Sequence, residues 1–110
     1  MMTESEFLRV SDRIFAYIEE SLEDLDDDFD CYTLGNVLTI EHADGAQIII
    51  NRHLANGELW IAAKSGGYHF APQAGVWYSE RDRADFFTVL NRVLSEAAQS
   101  EIVVPPFQAA

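Results

Sequence analysis

The sequence predicts an α+β protein: a two-layer α/β sandwich in which an antiparallel sheet of five to six strands carries the N- and C-terminal helices on one face. Three observations predict it. Apolar residues recur at helical spacing near the start of the chain, at Phe7, Val10, Ile14, Ile18, Leu22 and Leu25. They do so again near its end, at Phe87, Leu90, Val93, Leu94 and Ala97. Between the two lie short segments divided by turn signals such as Asp44-Gly45 and Asn56-Gly57, each a hairpin dipeptide.

Length and composition set the outer bounds. The 110 residues fit one domain, residues 1–110, and 48% hydrophobic content is enough to close a core. No apolar run approaches the ~18 residues of a membrane span. A net charge of −12 disfavours nucleic acid, whose phosphates call for Lys and Arg, and disfavours anionic membrane surfaces equally. It favours cations or a basic protein partner. The one cysteine, Cys31, rules out an intramolecular disulfide and a thiolate-rich zinc or iron–sulfur site. The opening Met1-Met2-Thr3-Glu4-Ser5-Glu6 is neither apolar like a secretory signal nor Arg-rich like a presequence, so a reducing, cytoplasmic location is expected.

Taken in order, Thr3 and Glu6 form a capping box that opens helix 1, which runs from about residue 4 to 25. At about 100° per residue, Asp12, Glu19, Glu23 and Asp26 fall together on one flank of the apolar stripe. Arg9 and Arg13, the two basic residues of the first 51 positions, lie further round with Glu20 and Asp24, leaving that flank without a counter-ion. In the first strand Phe29, Cys31 and Thr33 alternate with Asp28, Asp30 and Tyr32, which turns the two carboxylates outward. Gly35-Asn36 turns into Val37–His42, and Gln47–His53 makes the third strand. Leu59 and Ile61 then point inward and Trp60 outward. Gly66-Gly67 breaks the strand, Tyr68-His69-Phe70 continues it, and Val76-Trp77-Tyr78 is the last. Helix 2 spans about residues 83 to 99, with Phe87 and Trp77 in the core. The tail Ile102-Val103-Val104-Pro105-Pro106-Phe107 packs, but its prolines preclude helix.

The acidic run is the principal clue. From Glu19 to Asp30, eight of twelve residues are acidic and none is basic, yet Leu22 and Leu25 keep a helical register that a disordered acidic tail would lack. Two carboxylates ~4 Å apart in water repel by ~1 kcal/mol, so the flank implies a cation or basic surface that relieves it. An EF-hand fails, because counting from Asp24 the sixth position is Phe29 and the twelfth Gly35. His42, His53 and His69 show no metal-ligand spacing and are read as surface or structural, with a secondary iron site near one of them as the alternative. Cys31 points inward as a small hydrophobe, with its thiol pKa raised by burial and neighbouring acids. Trp60, outward on the sheet, is a candidate anchor for a protein partner.

These pieces resemble the frataxin family, in its bacterial branch. The resemblance covers about residues 4 to 100. It rests on the acidic run ending in Asp30-Cys31, on Gly35-Asn36-Val37-Leu38-Thr39-Ile40, and on Ile48-Ile49-Ile50-Asn51-Arg52. Leu59-Trp60-Ile61-Ala62 and Lys64-Ser65-Gly66-Gly67-Tyr68-His69-Phe70 complete it. It implies a role in iron–sulfur cluster assembly, with iron bound by the acidic ridge and association with the cysteine desulfurase and the scaffold protein. Carried over by position, the ridge is Glu19, Glu20, Glu23, Asp24, Asp26, Asp28 and Asp30, joined within the same run by Asp27; the exposed sheet positions are Asn51 and Trp60.

Carboxylate oxygens on a helix surface and an outer strand, with no histidine or thiolate closing a cage, imply weak and unselective binding of ferrous or ferric iron. Such a chain would hold no cluster itself. A monomer is expected, with iron-promoted oligomers left open. The first reading is an iron-dependent regulator of the desulfurase or an iron donor to the scaffold. The alternative is an acidic protein-docking module whose metal binding is incidental. A ferroxidase ranks last, since no Glu-x-x-His pair of the di-iron kind occurs, and no catalytic residues are assigned.

Overall fold

The structure, a computed structural model, describes residues 2–107. Thr3 opens α1 (Glu4–Leu25): its hydroxyl accepts the Glu6 amide while the Glu6 carboxylate accepts the Thr3 amide, both at 3.1 Å. Phe7, Ile14, Phe15, Ile18 and Leu22 are buried along one face. The stripe ends there. Leu25, expected to extend it, is 47% exposed, because it is the last helical residue and Asp26 already turns the chain away.

Seven strands follow, β1 (Phe29–Leu34), β2 (Val37–His42), β3 (Gln47–His53), β4 (Glu58–Ala63), β5 (Gly66–Gln73), β6 (Val76–Ser79) and β7 (Ala84–Asp85), and then α2 (Phe86–Ala98). Their order in space is their order in the chain, and each neighbouring pair is antiparallel. The strand beyond the expected five to six arises because Ala84 and Asp85 pair with Ser79 and Tyr78. For the same reason α2 starts at Phe86 and not near residue 83. Arg83 stands at φ 51°, outside the helical region, and the Asp85 carboxylate caps the helix at the Thr88 amide. Gly66 and Gly67 do not break a strand; they begin β5, and the turn lies at Lys64-Ser65, since Ala63 pairs with Gly66. Gly66 takes φ 142°, which explains a glycine there.

Alternation along β2 to β5 puts Leu38, Ile40, Ile48, Ile50, Leu59, Ile61 and Phe70 on the inner face, all buried. Against them α1 and α2 set their apolar sides, α2 through Phe86, Phe87, Val89, Leu90, Val93 and Leu94. Burying side chains of this size is worth about 1.5–3 kcal/mol each, so this one layer dominates stability. Trp77, read as core, lies at its margin, half-buried and 5.7 Å from the Phe7 ring. The tail packs as expected. Ile102 and Val104 are buried, and the Asn91 side chain brackets Val104, accepting its amide at 2.8 Å and donating to its carbonyl at 3.0 Å. The Tyr17 hydroxyl donates to the Pro105 carbonyl at 2.7 Å, tying the tail to α1. Among the described residues no helix is long and apolar enough to cross a membrane.

Candidate metal centre

The acidic run spans the end of α1, a tight turn and the start of β1. Glu20, Glu23, Asp24, Asp27, Asp28 and Asp30 are exposed, while Glu19 and Asp26 are half-buried. Glu19 is held in place, because the Thr33 hydroxyl donates to its Oε1 at 2.5 Å. The fold therefore makes one continuous acidic ridge along α1 and β1, and most of its carboxylates point to solvent without a partner.

At one place the ridge closes on itself. Asp26 is the C-cap of α1, and its Oδ1 accepts the Asp28 amide at 2.8 Å, so the turn into β1 draws the two carboxylates to one side. The pairing of Phe29 with His42, and of the Ala43 amide with the Asp28 carbonyl at 2.8 Å, lays the end of β2 beside that turn. His42 Nε2 then lies 4.0 Å from Asp26 Oδ2. One ligand atom each from Asp26, Asp28 and His42 lie within 4.8 Å of one another. Among the described residues this is the one such convergence.

The imidazole is held in place from two sides. Its ring packs edge-on to Phe29 at 4.8 Å, and Asp44 Oδ1 lies 3.2 Å from Nδ1. The Asp44 amide also donates to Nδ1 at 3.4 Å, so Asp44 holds this side of the ring through both its backbone and its side chain. With Nδ1 engaged by Asp44, Nε2 is the nitrogen that faces Asp26. The Ala46 amide and then His42 hold the Asp44 carboxyl below its ordinary pKa, keeping it an acceptor. The sequence pointed to no particular histidine beside the ridge, and the fold brings His42 there. His42 is sixteen residues from Asp26 in sequence, and only the β1–β2 pairing brings them together.

The flank expected to lack counter-charge is also only partly bare. Asp12 forms an ion pair with Arg52 of β3. The same guanidinium donates to Ser11 Oγ at 3.1 Å and to Asn36 Oδ1 at 3.0 Å, and it lies 5.6 Å from the Phe15 ring. Arg52 thus clamps α1 to the sheet. Cys31 is half-buried beside the ridge, and burial first, then Glu19 and Asp30, push its thiol up to about 11. It is no thiolate ligand at neutral pH.

On the outer sheet face Asn51 pairs across the ladder with Trp60. Trp60 points outward but is not bare. Its indole is sandwiched between His53 at 4.4 Å and His69 at 4.0 Å, with planes within 10°, and its Nε1–H donates to Glu58 at 2.8 Å. An approaching molecule would meet the edge of this stack and not the indole face. Sequence spacing gave no hint of it, since the three rings come from three different strands.

Comparison with known proteins supplies what the geometry alone does not. A frataxin-like domain model matches residues 1–100. The chain belongs to the frataxin-like family. Within that family it is 58% identical over 104 residues to the iron-sulfur cluster assembly protein CyaY of Neisseria meningitidis serogroup B, covering 94% of this chain and 97% of that protein. It is 51% identical over 89 residues to the protein of that name from Chromobacterium violaceum, covering 81% and 85%. The frataxin of Psychromonas ingrahamii superposes with a TM-score of 0.86 at 28% identity, over 96% of this chain and all of that one. The trimeric yeast frataxin, complexed with ferrous iron, gives 0.69 at 25% identity, over 91% and 89%. The frataxin fold read from the sequence is the fold observed.

Proposed function

We propose that this frataxin-like protein serves iron–sulfur cluster assembly by binding iron weakly on its α1–β1 ridge. In this reading it acts as an iron-dependent regulator of a cysteine desulfurase, as an iron donor to the scaffold protein, or as both. The names of its relatives and the ferrous iron on the yeast frataxin support the role. The observation that carries it is the convergence of Asp26, Asp28 and His42 at the end of the ridge. Two carboxylates and one imidazole form a mixed oxygen and nitrogen set, which suits ferrous iron better than carboxylates alone would. Three ligands at an exposed turn leave most of the coordination shell to water, so binding is weak and the metal is readily passed on.

The ridge then has two parts with separate work. Glu19, Glu20, Glu23, Asp24, Asp27 and Asp30 do not converge on any point, which favours contact with a basic protein surface for that stretch, as the docking-module alternative holds. Metal at Asp26, Asp28 and His42 would neutralise one end of that contact, and the two events are linked by the charge they share. Asn51 and Trp60 remain the proposed second contact, on the outer sheet face.

An anaerobic ferrous titration followed by amide NMR tests the metal site. The native chain should lose or shift signals around Asp26–Phe29 and His42–Asp44. His42→Ala should weaken binding about tenfold, and Asp26→Asn with Asp28→Asn should abolish it. Shifts spread over residues 19 to 24 with His42→Ala silent would leave the docking module as the better reading.

A further inference from the structure

β1 is the outermost strand on one side of the sheet, and its backbone is only half used. The Ala43 amide donates to the Asp28 carbonyl, and Leu34 faces Val37 across the two-residue turn Gly35-Asn36. Hydrogen-bonded pairs in an antiparallel ladder recur at every second residue, so Asp30 bonds with Glu41 and Tyr32 with Thr39. The residues between, Cys31 and Thr33, direct their N–H and C=O groups off the sheet edge. Among the described residues no backbone group pairs with them. Tyr32, Thr33 and Leu34 are exposed, Leu34 at 81%.

The two edges of this sheet are treated differently. The far edge, β7, is two residues long and runs straight into α2, leaving no room for another strand. β1 is six residues long, keeps an unbroken register with β2, and contains neither Pro nor Lys, the usual guards against unwanted pairing. Its guard is charge alone. Asp30 lies on the strand and Asp28 in the turn just before it, Glu19 is bonded to Thr33, and Glu23 stands one turn further along α1. Two copies set edge to edge would bring these carboxylates against one another, which bars self-pairing. The same charges attract a strand that carries Lys or Arg.

We infer that β1 is a docking edge for an extended, basic segment of another protein, which pairs with the backbone of Cys31 and Thr33 and extends the sheet by one strand. Its basic side chains would alternate between Asp30 on the outer face and Glu19 and Glu23 beside α1. The inference does not depend on the iron reading: a metal would sit at Asp26, Asp28 and His42, whereas the pairing uses main-chain groups further along the strand.

The probe is an acetylated, amidated eight-residue peptide of alternating arginine and valine, added to the ¹⁵N-labelled protein in low salt. Amide exchange at Cys31 and Thr33 should slow at least about tenfold on binding, while Asp30 and Tyr32, already bonded to β2, change little. The same peptide N-methylated at two adjacent central residues keeps its charge but blocks both of its own edges. It should bind about tenfold more weakly or worse. Thr33→Pro removes an outward-facing donor without touching the β1–β2 bonds, and should weaken the unmodified peptide similarly. Equal binding of the methylated peptide, absent protection at Cys31 and Thr33, or no binding at all would overturn the inference and leave charge attraction alone at this edge.

Discussion

Cys31 and Arg52 show how differently single residues can be read. The inward turn of Cys31 follows from alternation with Asp30 and Tyr32, and so does its company of acids; both were legible. With the thiol at about 11 against an ordinary value of 9, thiolate at pH 7.5 is about a hundredfold scarcer than in a free cysteine. Iodoacetamide should therefore modify the native protein at least about a hundredfold more slowly than the urea-unfolded chain, with mass spectrometry as the readout. The folded state holds this proton more tightly than the unfolded one, so the associated stability is complete below pH 9 and is lost as pH rises towards 11. Arg52 was not legible as a clamp. Its partners Ser11 and Asp12 lie 41 and 40 residues away, and a helical wheel cannot see across to a strand. Arg52→Met should cost roughly 2–3 kcal/mol in urea denaturation, because it strips hydrogen bonds and an ion pair from a largely buried side chain.

At the scale of elements, the ridge itself was plain in the sequence, since eight acids in twelve residues keep a helical register. Its internal division was not. Glu19 and Asp26 accept hydrogen bonds from Thr33 and from the Asp28 amide, and Asp12 has Arg52, so only part of the run is uncompensated. Glu20, Glu23, Asp24 and Asp27 have no intramolecular partner among the described residues. Replacing these four with Gln, Gln, Asn and Asn should raise the melting temperature by a few degrees in low salt, at a few tenths of a kcal/mol per relieved pair. The gain should fade in 0.5 M NaCl, where the Debye length is shorter than the spacing of most of these charges. The short β7 escaped prediction for a related reason. Two residues carry no period, and the helical pattern of α2 reads straight through them until Arg83 and the Asp85 cap are seen.

The molecule as a whole is closed by its tail. Ile102 and Val104 fill the core, and Asn91, Ser95 and Tyr17 bond to the tail backbone, so α1 and α2 are held together by a segment without regular structure of its own. Apolar composition foretold that the tail packs, but not that polar side chains of α2 would take over its backbone hydrogen bonds. Ile102→Ala with Val104→Ala should cost about 4 kcal/mol by thermal or urea unfolding. That is a large share of the 5–15 kcal/mol typical of a domain this size.

The strand order has a consequence in time as well as in space. Every strand pairs with its neighbour in the chain, so the sheet can zip from any hairpin outward, and each step closes only a short loop. Docking α1 through Arg52 spans some forty residues and completes the molecule only once β3 is in place. Replacing Arg52 should then leave the refolding rate nearly unchanged and act almost entirely by hastening unfolding. The clamp would set how long the molecule stays folded, and the hairpins how quickly it gets there.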